Sequence, residues 1–140
     1  MQRLTQADTE AYGQYAAASK LPRSTDEEKA ARAAAMQQAL RAAAEVPHAA
    51  ADAAHQVIKI AAELVDKGNP NLITDAGVAA KFGLAALECA VLNLEINLVY
   101  IKDADYVAAR RKEVAPLLHE GARLAQTVWG KVENHLKQGN

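Results

Sequence analysis

The sequence predicts an all-α protein, a bundle of about five helices completed by oligomerisation, and three observations carry that expectation. Ala supplies 33 of the 140 residues while Leu, Ile, Val and Phe together supply only 30, so the core has to come from closely approaching helices. No stretch alternates apolar and polar residues in the way a half-buried strand does. Pro and Gly fall where they cut the chain into helical segments with short joints. The length suits a single domain spanning residues 1–140.

The first helix is expected over Leu4–Ser19, with a turn at Leu21-Pro22-Arg23-Ser24. Thr25 opens the second: its hydroxyl can accept from the first-turn amides while Glu28 reaches back, and Asp26, Glu27 and Glu28 suit the positive helix end. That helix should stop near Glu45, because Pro47 lacks an amide proton and disfavours helical geometry at Val46. Pro47 then opens a third helix, running to Lys67 with Val57, Ile60, Ala61, Leu64 and Val65 at helical spacing and Gly68 as a left-handed stop. Asn69-Pro70-Asn71 reads as a rigid loop. The fourth helix begins at Thr74 or Asp75 and continues to about Ile101; the fifth runs from Asp103 or Ala104 to Leu136, bent at Pro116.

Charge and composition exclude several function classes. Sixteen basic against 17 acidic residues leave a net charge of −1, and no basic run exceeds Arg110-Arg111-Lys112, so nucleic acid is not an expected partner. The longest apolar stretch, Val78 to Ile101, is interrupted by Lys81, Glu88, Asn93, Glu95 and Asn97, and inserting each charged residue in lipid costs about 2.5–3.5 kcal/mol, so no membrane span is expected. Cys89 is the sole cysteine and the N-terminus has no apolar signal core, which fits a reducing cytoplasm. Cys89 is expected to fill space, and Phe82 and Trp129 to anchor a core or an interface. His48, Asp52 and His55 share a helical face, but without a third strong ligand no metal is expected.

On the fourth helix, Lys81, Glu88, Glu95 and Lys102 follow one another seven apart along a stripe that reads as solvated. Asp75, Ala79, Phe82, Ala86, Ala90, Asn93 and Asn97 lie on the other side, where small side chains leave room for a close helix or a ligand. Asn93 and Asn97 either fix helix register by hydrogen bonds or face a ligand. At 1.5 Å per residue Asp75 lies roughly 27 Å from Asn93 along the axis, so a site holding both must span subunits.

The run Gly68-Asn69-Pro70-Asn71-Leu72-Ile73-Thr74-Asp75-Ala76-Gly77-Val78-Ala79-Ala80 resembles the GNPN-x-x-S/T-DAGVAA signature of the formiminotransferase-cyclodeaminase C-terminal domain family, which includes methenyltetrahydrofolate cyclohydrolases. Asn93-Leu94-Glu95-Ile96-Asn97-Leu98 and Ile101-Lys102-Asp103 follow at the family's spacing, and Asp8, Ala11-Tyr12, Lys20-Leu21-Pro22 and Val46-Pro47 precede it. Members normally begin with two further helices and a Gly-rich PTPGGGS-like segment, which this sequence lacks.

The resemblance implies a dimeric, all-helical enzyme acting on a tetrahydrofolate derivative as substrate, with no metal. Cyclodeaminases close the 5-formimino compound to the 5,10-methenyl form with loss of ammonia; cyclohydrolases open the methenyl form with water. Asp75, in the field of a helix start, suits a base or a partner for positive charge, and Asp8 is the second carboxylate candidate. Asn69 and Asn71 on the Pro70-stiffened loop, together with Asn97 and Lys102, are the substrate-binding candidates. The plainer readings are that Asn69, Asn71 and Asp75 cap helix ends, that Asp8 is an exposed helix residue and that Lys102 is a dipole partner. The third and fourth helices are apolar around most of their circumference, so a homodimer or larger assembly is expected. The alternative is a non-catalytic homologue acting as an oligomeric folate-binding or interaction module.

Overall fold

The computed structural model describes residues 2–138 and consists of four α-helices and one 3₁₀ turn. These are α1 (Gln2–Ser19), α2 (Asp26–Lys67), the turn Pro70–Leu72, α3 (Ile73–Leu98) and α4 (Ala104–Gln138). The start of α2 follows the sequence rule. Glu28 donates its amide to Thr25 Oγ1 at 3.2 Å, and the Glu28 carboxylate accepts from the amides of Thr25 and Ser24. Asp103 caps α4 in the same manner, accepting from the Tyr106 amide at 3.0 Å while pairing with Arg41 at 2.7 Å.

Three expectations are corrected. The second and third helices are one 42-residue helix, unbroken at Pro47. The helix tolerates the proline because the Ala43 carbonyl, which residue 47 would normally serve, accepts instead from Asn97 Nδ2 of α3 at 3.4 Å. Pro47 itself is buried, in line with Ala44, Ala51 and Ala54 on a continuous packing face. Second, Gly68 is extended (φ −82°, ψ −178°), not left-handed. It is needed for closeness: a Cβ there would lie 2.5 Å from the Leu64 carbonyl oxygen, to which the Gly68 amide donates. Third, α3 begins at Ile73, directly after the 3₁₀ turn, and ends at Leu98; Tyr100 and Ile101 donate to Asn97 and Leu98 in a tightening turn. α4 continues through Pro116.

The helix register is regular. α2 and α4 run parallel, with Arg41 against Tyr106, His48 against Glu113 and His55 against Glu120, each pair one heptad after the last. α3 runs antiparallel to both, pairing Asn97 with Ala43, Gly83 with Ile58, and Glu95 with Arg111. α1 packs on the first half of α2, tied by Arg32 donating to the Ser19 carbonyl at 3.0 Å. Ile58, Leu87, Leu94, Leu98 and Val128 are the largest fully buried side chains. Pro70–Leu98 is long and apolar enough to cross a membrane by length and composition; here it is the central helix, its inner face packed on α2 and α4.

Asp103 yields a pH prediction. The Tyr106 amide above all, with the Arg41 guanidinium and the Asp105 amide adding to it, holds its carboxyl below the usual aspartate range against the opposing desolvation. A depressed folded value means the contribution is complete above the unfolded value of about 3.9 and disappears as pH falls through the folded one. Asp103→Ala should therefore lower the melting temperature at neutral pH, with the gap to the unaltered chain narrowing in thermal melts as the pH is taken below the ordinary aspartate range.

Candidate active site

The small residues on one side of α3 open a groove against α1 and α2. A cavity of about 320 Å³ there is lined by Asp8 of α1, Pro47 and Ala50 of α2, and Ala90, Asn93 and Asn97 of α3. A second, of about 370 Å³, shares Asp8 and Asn97 and adds Tyr12, Tyr15 and Tyr100. A third, of about 520 Å³, shares Ala50 and is apolar, with Leu4, Val57, Phe82 and Gly83 in its wall. Asp8 is the single charged residue lining the three, so the groove is an apolar slot with one carboxylate and two amides near its middle. Clefts of this make-up, apolar walls with a few convergent polar groups, are where small molecules bind.

Asn97 serves the fold first. Its Nδ2 donates to Ala43 O and to Asn93 O, the latter at 3.0 Å, which leaves Oδ1 as its acceptor. The register reading of Asn97 therefore holds, and its carbonyl still borders both polar cavities. Asn97→Ala strips a donor from the Ala43 carbonyl and should cost about 0.5–1.5 kcal/mol in urea denaturation. In a Pro47→Ala background, where residue 47 has an amide to offer, that cost should shrink, which a double-mutant cycle measures.

The second candidate cluster sits at the opposite end of α3. Asn69 caps the 3₁₀ turn, its Oδ1 accepting from the Asn71 amide at 3.0 Å and its carbonyl from Leu72 at 2.9 Å. Asn71 and Asp75 are exposed. Asp75 caps nothing: no side chain caps α3, whose N-cap is Leu72, and the Asp75 carboxylate makes no ion pair or hydrogen bond among the described residues. The capping reading holds for Asn69 and fails for Asp75.

Within one chain these clusters do not meet. Twenty-two helical residues place Asp75 roughly 33 Å along the axis from Asn97. Lys102 lies at the Asn97 end, in the connection after α3; its amide donates to Gln37 Oε1 at 2.8 Å, and it is exposed without lining the three cavities. Sequence reasoning missed Tyr15 and Tyr100, which converge on Asn97 from two helices; the available signal was their position three residues after Tyr12 and after Asn97.

Other expectations sort as follows. His48 Nε2 lies 3.1 Å from Glu113 and His55 Nε2 lies 3.1 Å from Glu120, so each imidazole faces its own α4 carboxylate and the two do not converge on one point. No group of three or more His, Cys, Asp or Glu placed to hold a metal occurs among the described residues. Cys89, expected as filler, is exposed, because it lies on the face of α3 opposite the core. Phe82 is 74% exposed and Trp129 40%, so neither is a core anchor; Lys81 lies 4.9 Å above the Trp129 ring. The stripe read as solvated is partly tied down, Glu95 taking a two-pronged contact from Arg111.

Known proteins with these features are specific. Residues 1–116 match the profile of the family described as Formiminotransferase-cyclodeaminase. The chain is 40% identical over 127 residues to the methenyltetrahydrofolate cyclohydrolase of Methylorubrum extorquens, covering 91% of this chain and 61% of that protein. It is 36% identical over 130 residues to the formimidoyltransferase-cyclodeaminase of Sus scrofa, covering 93% of this chain and 24% of that one. The fold resembles that of formiminotetrahydrofolate cyclodeaminase from Thermotoga maritima, with TM-score 0.68 and 26% identity over 97% of this chain and 62% of the other. The chain thus spans about three fifths, or a quarter, of the relatives it matches.

Proposed function

The chain belongs to the formiminotransferase-cyclodeaminase family, and from that premise we propose that it is an enzyme acting on the carbon bridging N5 and N10 of a tetrahydrofolate derivative, working as a homodimer in the cytoplasm. The observation that carries this reading is Asp75: a carboxylate at a helix start, beside a rigid Asn-Pro-Asn turn, with no structural partner among the described residues. Set at a helix start with no structural partner, this carboxylate is placed to serve as a base or as a counter-charge to the methenyl cation.

In the hydrolytic direction, water adds to the bridging carbon as its proton passes to Asp75. The tetrahedral carbon then releases N5, which takes up a proton, and the formyl group stays on N10. In the deaminating direction, N10 attacks the carbon of the protonated formimino group, and the N10 proton passes to the amino nitrogen, which leaves as ammonia and gives the methenyl cation. Asn69 and Asn71 of one copy supply amide groups to the edge of the pteridine, while the tyrosine-lined slot around Asp8 and Asn97 of the other copy takes the aromatic remainder of the molecule, with Lys102 toward its anionic end. No metal is invoked.

Absorbance at the methenyltetrahydrofolate band tests the reading. The chain should bleach the band with water as reactant, or generate it from the 5-formimino compound with release of ammonia. Tetrahydrofolate binding without either reaction would replace catalysis with a binding role, and absence of binding would remove the folate reading.

A further inference from the structure

The connection from α3 to α4, residues 99–103, leaves the helix in a turn that satisfies only its first amides. Val99, Tyr100 and Ile101 donate to the carbonyls of Glu95, Asn97 and Leu98. The Tyr100 carbonyl and the Lys102 amide, on either side of the buried Ile101, have no backbone partner among the described residues. Gln37 of α2 serves both. Its Nε2 donates to Tyr100 O at 3.0 Å, and its Oε1 accepts from the Lys102 amide at 2.8 Å. The pairing demands a primary amide, which carries a donor and an acceptor on one planar group; an ionised Glu has no donor there, and Asn is a methylene shorter.

We infer that Gln37 is a positioning residue of the folate slot: it holds the connection so that Tyr100 walls the slot and Lys102 stands at its end. This role rests on the folate reading above. Tyr100 lines the cavity of about 370 Å³ with Asp8, Tyr12 and Asn97, yet it is 62% exposed, so packing alone does not fix its place and the backbone beneath it has to. Leu40, one turn beyond Gln37 on α2, lines the same cavity. One stretch of α2 therefore supplies both the wall and the clamp. A loop ordered before the ligand arrives spares the ligand the cost of ordering it, which is what a positioning residue contributes to affinity.

Joining the two helices does not require this clamp. The start of α4 is held separately by Asp103, which accepts from the Tyr106 amide at 3.0 Å and pairs with Arg41 at 2.7 Å. Gln37 acts on the residues just before that point, and those are the ones that carry the side chains assigned to substrate.

Two full-length variants test it. Gln37→Met keeps the reach of the side chain and removes both bonds, whereas Gln37→Glu keeps the acceptor and sets a carboxylate against Tyr100 O. Both should keep the helical circular dichroism, since Tyr100 and Lys102 are exposed and water can serve the freed groups. Amide exchange followed by NMR should be about tenfold faster at Lys102 in Gln37→Met and remain slow in Gln37→Glu. For whichever folate the unaltered chain converts, KM should rise about tenfold in both variants with kcat within about twofold, because the slot supplies binding that ground state and transition state share. If the unaltered chain binds tetrahydrofolate without turnover, the same rise should appear in Kd.

A lowered melting temperature with unchanged KM or Kd would make Gln37 a strut only and overturn the inference. Lys102 exchange at the same rate in Gln37→Met, or a fall in kcat at constant KM, would overturn it as well. An unaltered chain with no folate binding removes the folate reading and this role together. That failure is read before any substitution is made, so it is distinct from a folate-binding chain indifferent to Gln37.

Discussion

Asp75→Ala should fold as the unaltered chain does and lose about a hundred- to ten-thousand-fold in turnover of methenyltetrahydrofolate, the range set by removing a group that moves a proton in the transition state. Folding should survive because the side chain is exposed and caps nothing, so its loss leaves no backbone group unpaired. The comparison is decisive because Asp103, also an aspartate beside the start of a helix, has the opposite profile: it accepts from a backbone amide and an arginine, and its loss should lower the melting temperature. Circular dichroism, thermal melts and turnover on the two variants separate a chemical carboxylate from a structural one. A turnover change for Asp75→Ala within threefold would move the chemistry elsewhere.

Leu87→Ala should have the largest effect on stability, about 2–5 kcal/mol, read as a fall in the urea midpoint at unchanged slope. Leu87 is fully buried where α2, α3 and α4 meet. Its Cδ2 lies 2.7 Å from where a Cβ on Gly121 would stand, and Ile58 Cδ1 lies 3.2 Å from that point. The glycine lets α4 approach until Leu87 and Ile58 fill the space a side chain would take. Seven of the seventeen residues of this core cluster are alanines, too short to relax into the resulting hole, so the cost should fall in the upper half of the range. Gly121→Val should be destabilising for the converse reason, because it forces Leu87 off its rotamer.

Local rules were legible in the sequence wherever the partners are close along the chain. The Thr25–Glu28 box and the Asn69-Pro70 turn satisfy their groups within a few residues, and the all-helical class follows from composition and period. Pro47 defeated the same kind of reading because its compensating donor, Asn97, lies 54 residues away on another helix. Gly68 was recognised as a stop with the wrong cause, since crowding against Leu64 acts there in place of a left-handed backbone. The candidate site divides along the same line. Asp75, Asn69 and Asn71 sit in one contiguous signature, whereas Tyr12, Tyr15 and Tyr100 gather around Asp8 and Asn97 only once α1 and α3 are placed against α2. The spacing of Asp75 from Asn93 was legible as a distance, because both lie on one uninterrupted helix.

A crystal structure of the chain with bound tetrahydrofolate tests the central claim most directly. The account predicts the pteridine against the Asn69–Asp75 segment, with the Asp75 carboxylate within hydrogen-bonding or direct contact distance of N5, N10 or the carbon between them. A folate lodged elsewhere, with Asp75 facing bulk solvent or sealed against protein, would contradict it.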